Sequence, residues 1–157
     1  MHYLQASEYT HLSGEINSLY HEAAVKMGIS DSVINILYVI CENGTQCLQS
    51  EISRMTGISR QTINSAICKL QQDGIVTVRQ GQGRNTIVSL TESGQAFAAR
   101  RIHPLFEIEN RILNEWTPEE QRQYLRLTQM YRDGLRRYMD LLPSLASQKE
   151  QQDKPRE

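Results

Sequence analysis

The chain has 157 residues with 17 Lys+Arg against 18 Asp+Glu, a net charge of −1, a length that suits one domain with or without an extension. A hydrophobic fraction of 39% with 6% aromatics can build a modest core and excludes global disorder. The longest apolar runs, such as Val33–Val39 with Asn35 inside it, fall far short of the roughly 20 residues a membrane span needs. Met1–Gln5 lacks the basic and apolar regions of a signal peptide, so the expectation is a cytoplasmic protein with no membrane partner.

Leu12, Ile16, Leu19, Tyr20, Ala23 and Met27 recur at three- and four-residue steps and predict a helix over residues 6–27, ended by Gly28. Ser30 is placed to cap a second helix carrying Val33, Ile34, Leu37, Tyr38 and Ile40, which stops at Asn43-Gly44. A short helix follows over Leu48–Thr56, with Ile52 and Met55 expected inward. Gly57-Ile58 makes a tight turn, and Ser59 caps a helix to about Asp73 whose apolar face is Ile63, Ala66, Ile67 and Leu70. Two β-rich runs, Ile75–Arg79 and Thr86–Leu90, flank the glycine-rich segment Gln80–Asn85 and read as a hairpin. Thr91 opens a long helix expected to run to about Trp116. Thr117-Pro118-Glu119-Glu120 restarts a helix with a cap, a proline and acids in the first turn. That last helix carries Tyr124, Leu127, Tyr131, Tyr138 and Leu141 at near-heptad spacing with Gly134 on the same stripe, a seam that suits another helix. The segment from Pro143 onward is polar and is expected to be a flexible tail.

Near-neutral overall charge hides an asymmetry. Residues 45–91 hold five Lys+Arg against two Asp+Glu, a net of +3, and the remainder holds 12 against 16, a net of −4. A basic centre between acidic flanks suits a nucleic-acid-reading module set between oligomerisation segments. Helix, glycine turn, capped helix and hairpin, in that order, make a winged helix-turn-helix. The expected fold is therefore mostly α with a small β-hairpin wing, an α+β chain with dimerisation helices at both ends. Its expected parts are an N-terminal dimerisation helix (1–30), the winged helix-turn-helix (31–91), C-terminal dimerisation helices (92–142) and the tail (143–157).

In that arrangement the outer face of the second helix of the motif, with Arg60, Gln61, Asn64, Ser65 and Lys69, is free to enter a major groove about 12 Å wide. Gln61 and Asn64 can donate to and accept from base edges, and arginine can pair bidentately with guanine. Ser59 and Thr62, at the positive end of the helix, suit phosphate, and no acidic residue lies between Ser59 and Gln72. On the hairpin, Arg84 beside Asn85 can reach the adjacent minor groove, and Arg79 at its base suits phosphate. Taken singly, the Gly57 turn is as consistent with packing as with DNA, and Arg84 is more often a solvated loop arginine. Their conjunction with the charge asymmetry points to double-stranded DNA.

The segments Ser59-Arg60-Gln61-Thr62-Ile63-Asn64, Leu70–Val76, Gln82-Gly83-Arg84 and Leu90-Thr91-Glu92-Ser93-Gly94 together resemble the MarR family of bacterial transcription regulators. The likeness spans nearly the whole chain, and Leu-Thr-Glu-x-Gly after an arginine-bearing wing is its most specific part. Arg84 aligns with the arginine of that family's D-x-R wing motif, with Gln82 in place of the acid that usually steadies it. The resemblance implies a homodimer on a palindromic operator, most simply a repressor. The apolar stripes ask for the same dimer, which would set two recognition helices roughly 34 Å apart.

Many members release DNA on binding a small, often aromatic, effector. Tyr20, His21, Tyr38 and Phe106 are the residues that could line such a crevice, although each taken singly reads as core or interface. A thiol switch is a rival: Cys47 precedes the short helix and Cys68 lies in the recognition helix, while free cysteine is more often simply buried. The odd count of three cysteines reads as reduced thiols. No C-x-x-C pair, clustered histidines, P-loop or nucleophile motif is present, so no metal, cofactor or enzymatic activity is expected. A protein-interaction adaptor built on a winged helix is the alternative of a different class.

Overall fold

The computed structural model describes residues 4–144; the expected tail lies outside them from residue 145 onward. Seven helices and three strands follow in chain order among the described residues: α1 (Leu4–Met27), α2 (Asp31–Glu42), β1 (Gln46–Leu48), α3 (Gln49–Thr56), α4 (Arg60–Gln72), β2 (Val76–Gln80), β3 (Thr86–Leu90), α5 (Glu92–Arg101), α6 (His103–Asn114) and α7 (Pro118–Met139). They fall into two compact units divided between Glu107 and Ile108.

The first unit is built round α2. Ser30 accepts a hydrogen bond from the Val33 amide at 3.3 Å, satisfying one of the donors a helix start leaves open. Six of the twelve residues of α2 are buried: Val33, Ile34, Ile36, Leu37, Val39 and Ile40. A helix apolar over so much of its circumference belongs inside a core. Ile52 of α3, Ile63 of α4, Val76 and Val88 of the sheet and Ile102 after α5 complete the fully buried set. Only the end of α1 joins this core, with Ala24 buried and Ala23 and Met27 packed against it. The Arg101 guanidinium donates to the Met27 carbonyl at 2.9 Å, covering an open acceptor at the end of α1.

The sheet has three strands rather than the two of a hairpin, in the order β1-β3-β2. All pairs are antiparallel, with Cys47 opposite Val88 and Val78 opposite Val88 on the other side. β1 is only three residues long, too short for its own periodicity to mark it; pairing with β3 is what makes it a strand.

Two further expectations are corrected. The helix opened by Thr91 does not continue to Trp116 but breaks between Arg101 and His103. Pro104 has no amide hydrogen to give to a carbonyl one turn back, and its ring disfavours helix in the residue before it. Met55 is 47% exposed rather than inward. Thr56 takes the inward place one turn after Ile52, donating to the Ile52 carbonyl at 2.7 Å and accepting from the Ile58 amide at 3.2 Å.

In the second unit Thr117 caps α7, accepting from the Glu120 amide at 3.2 Å, while the Glu120 carboxylate accepts from the Thr117 amide at 2.7 Å. That reciprocal pair holds the Glu120 carboxyl below its ordinary range, chiefly through the Thr117 amide. Trp116 meets Tyr124 edge-on, ring centroids 5.2 Å apart. None of the residues of α7 is buried; Tyr124, Leu127, Tyr131 and Tyr138 all lie open, Tyr138 at 63% exposure. Among the described residues no single helix is long and apolar enough to cross a membrane.

Candidate nucleic-acid interface

The α3–α4 turn is made by Gly57, left-handed at φ +68°, a conformation that costs an L side chain energy and glycine little. Ser59 then caps α4: its hydroxyl accepts from the Thr62 amide at 3.2 Å and shares a 2.9 Å hydrogen bond with the Thr62 hydroxyl. Both hydroxyls are thus engaged within the protein, with lone pairs and the α4 amides left for a further partner. The buried stripe Ile63, Ala66, Ile67 and Leu70 turns the opposite face of α4 to solvent. On it Arg60 and Asn64 stand one helical turn apart, as do Gln61, Ser65 and Lys69, all exposed. The Ser65 hydroxyl donates to the Gln61 carbonyl at 3.0 Å.

The wing tip turns through Gly83, at φ +65°. It is closed by the Gly81 amide on the Asn85 carbonyl at 2.7 Å, the Asn85 amide on the Gln82 carbonyl at 3.3 Å, and the Gln80 side chain on the Gly83 carbonyl at 2.9 Å. Among the described residues Arg84 has no hydrogen bond or ion pair, so the tip is shaped by backbone and Gln80 and the guanidinium is left to solvent. Arg79 behaves differently. Its Nη2 donates to Gln46 Oε1 at 3.4 Å, and the Ser89 hydroxyl donates to the same oxygen at 3.3 Å, which ties Arg79 across the sheet.

These elements meet at one crevice. Arg60, Ile63 and Asn64 of α4 line it with Arg84, Asn85 and Thr86 of the wing. Its third wall is the start of α3, with Gln49, Ser50 and Ser53. The expected site lacked this wall, whose one signal in the sequence is the polar start of the first helix of the motif, the part that crosses a nucleic-acid backbone. Gln49 Nε2 donates to Asn64 Oδ1. Ser59, Gln61, Thr62, Ser65, Lys69 and Arg79 are exposed but are not among the residues that line the crevice. No carboxylate lines the crevice, and Asp73 lies at the far, C-terminal cap of α4, so the crevice offers cations and amides and no anion to repel phosphate.

The remaining candidates sit elsewhere. Tyr38 and Phe106 are in ring contact, centroids 4.2 Å apart, and His103 lies 6.3 Å from Phe106. His21 Nδ1 contacts the Asp31 carboxylate at 2.9 Å, joining α1 to the start of α2. Tyr20 is exposed on α1. No group of three His, Cys, Asp or Glu suited to a metal ion occurs among the described residues.

The three thiols differ sharply. Cys47 is buried in β1, and burial, helped by the Glu51 charge, pushes its pKa up to about 11. Burial also raises that of Cys41, whereas Cys68 is exposed, one turn beyond Asn64 on α4. Because the thiolate is the nucleophile, iodoacetamide at neutral pH is expected to modify Cys68 first and Cys47 last; mass mapping of equal rates would contradict this placement. The raised Cys47 pKa also favours the folded state below about pH 9, and this contribution is lost as pH rises from the ordinary 9.0 to about 11.

Comparison with known families adds a match between residues 27–84 and the MarR family, from the end of α1 to the wing arginine. The match covers the winged-helix region, a little over a third of the chain. Solved structures share the MarR fold beyond that segment. A MarR/EmrR-family transcriptional regulator from Acinetobacter sp. ADP1 aligns at TM-score 0.68 and 20% identity, over 85% of this chain and 95% of that one. NMB1585, a MarR family regulator from Neisseria meningitidis, aligns at 0.66 and 18%, over 96% and 99%. NadR, solved in complex with 4-hydroxyphenylacetate, aligns at 0.67 and 15%, over 83% and 93%. A search of curated proteins returns no match. The fold is that of MarR-family transcriptional regulators, and within it the Leu90–Gly94 motif is a packing device: Thr91 and Ser93 hydroxyls donate to the Gly74 carbonyl at 2.6 and 3.3 Å.

Proposed function

We propose that this protein is a sequence-specific double-stranded-DNA-binding transcription regulator of the cytoplasm. It acts as a homodimer on a palindromic operator, most simply by occluding a promoter. The observation that carries the reading is the crevice in which Arg60 and Asn64 of α4 converge with Arg84 and Asn85 of the wing. Two elements far apart in sequence bring donors and cations to one acid-free surface, which suits a polyanion read in two adjacent grooves. α4 enters the major groove, where Asn64, Gln61 and Arg60 reach base edges and Ser59, Thr62, Ser65 and Lys69 face phosphate. Arg84 enters the minor groove and Arg79 meets the backbone beside it.

Dimerisation is supported by apolar side chains left open on α1 and α7, among them Leu12, Ile16 and Leu19 and then Leu127, Tyr131 and Tyr138. Exposed ridges of that kind mark interaction surfaces, and a second copy is the partner that pairs two recognition helices. The effector class proposed is a small aromatic compound bound near Tyr38 and Phe106, with Tyr20 and His21 of α1 as the further candidate residues. The ring contact of Tyr38 with Phe106 and the 4-hydroxyphenylacetate held by NadR support that choice.

Fluorescence anisotropy on duplex DNA from upstream of the protein's own gene, titrated across salt, tests the proposal. Four cations per subunit, Arg60, Lys69, Arg79 and Arg84, predict for a dimer a slope of log K against log salt of about −7. Light scattering on the same sample is expected to give twice the 18.1 kDa chain mass. No binding to any duplex at low salt would overturn the regulator and leave a protein-interaction adaptor.

A further inference from the structure

We infer that Gln49 selects the base that Asn64 reads, by fixing which end of the Asn64 carboxamide faces the DNA; this rests on the DNA-reading function proposed above. An exposed asparagine can turn its amide about a broad, two-fold torsion and present either oxygen or nitrogen to a base. Here Gln49 Nε2 donates to Asn64 Oδ1 across the crevice. The oxygen is held toward α3, so Nδ2 is the end turned to the groove, with both hydrogens left for a partner. That set matches guanine in the major groove, whose N7 and O6 are both acceptors. It does not suit cytosine or adenine, whose N4 and N6 donors need an acceptor turned toward the groove.

Gln49 is held for this role by the strand that makes the sheet three-stranded. It is half-buried and first in α3. The residue before it, Leu48, lies opposite Ile87 of β3, and the Leu48 amide donates to the Glu51 carboxylate at 3.4 Å. β3 begins at Thr86, directly after Arg84 and Asn85. The same strand therefore anchors the wing that would enter the minor groove and, through β1, the glutamine that orients the major-groove reader. Gln49 is a positioning residue, acting through Asn64.

The test uses the full-length protein and a pool of randomised duplexes. Wild-type protein selects its preferred site, and affinities are then measured for the four base pairs at each position of that site. Wild type is expected to prefer guanine by about tenfold at one position in each half-site, a preference that N64A erases. Q49A is expected to reduce it to about threefold or less, leaving other positions and the melting temperature unchanged. Q49E has no donor for Asn64 Oδ1 and accepts from Nδ2 instead, reversing the amide, so preference moves from guanine toward cytosine at that position. A double-mutant cycle is expected to show Q49A without further effect there once Asn64 is alanine.

Unchanged base preference in Q49A, with N64A erasing it, would overturn the role of Gln49 and leave the regulator intact. Equal loss for every sequence together with a lowered melting temperature would reduce Gln49 to a staple between α3 and α4. Failure of the wild-type protein to select any sequence would overturn both the inference and the function it rests on.

Discussion

Gly94→Ala is expected to destabilise the protein by about 3 kcal/mol, the upper part of the range for overpacking. Helix propensity argues the other way, because Gly94 lies in the first turn of α5 and alanine is favoured over glycine in helices by about 1 kcal/mol. Sterics decide the sign. A Cβ at this position would sit on the Ile75 carbonyl oxygen and 2.9 Å from its carbon, and both are backbone, with no flexible end to swing away. The carbonyl cannot retreat without losing its bonds from the Thr91 amide at 3.0 Å and the Thr91 hydroxyl at 3.2 Å. Thr91 in turn caps α5, accepting from the Gly94 amide at 2.9 Å. Urea denaturation followed by circular dichroism reads the effect; a midpoint at or above that of the wild type would mean that α5 and the α4–β2 turn are not packed this closely.

Arg84→Ala is expected to weaken DNA binding by about 1.5–3 kcal/mol per subunit, the range for hydrogen bonds involving a charged group. The variant should keep the dimer mass and the melting temperature of the wild type, because Arg84 has no protein partner to lose among the described residues. Removing one cation per subunit should also flatten the salt slope of the dimer by about 2. Anisotropy across salt measures both quantities. Unchanged affinity would take the wing out of the interface, and a loss accompanied by a lowered melting temperature would assign Arg84 a structural role.

What could be read from the sequence is what local chemistry determines. Ser30, Ser59, Thr91 and Thr117 each accept from the amide three residues on, as a short hydroxyl before an amphipathic run should. The buried face of α4 is the expected one, and β2 and β3 lie within one residue of the expected strands. Tertiary context governs the rest. β1 exists only by pairing with β3, and Gln49 meets Asn64 across fifteen positions of sequence, so neither had a local signature. The break before Pro104 has a local cause in the sequence, a proline inside the stretch expected to be one helix. Leu90–Gly94 was legible as a pattern, while its physical reason, a helix start pressed onto a carbonyl, needs coordinates.

The most direct test of the interface is base-modification interference on the duplex that the protein selects. Methyl groups on guanine N7 block the major groove and those on adenine N3 block the minor groove. Two clusters of major-groove interference are expected, centred about 10 base pairs apart on one side of the duplex, as two α4 helices of a two-fold dimer require. Minor-groove interference should flank each cluster on its outer side, where the wing arginines lie, and Arg84→Ala should abolish it alone. A single major-groove cluster, or minor-groove interference that survives loss of Arg84, would contradict the pairing of α4 and wing in adjacent grooves.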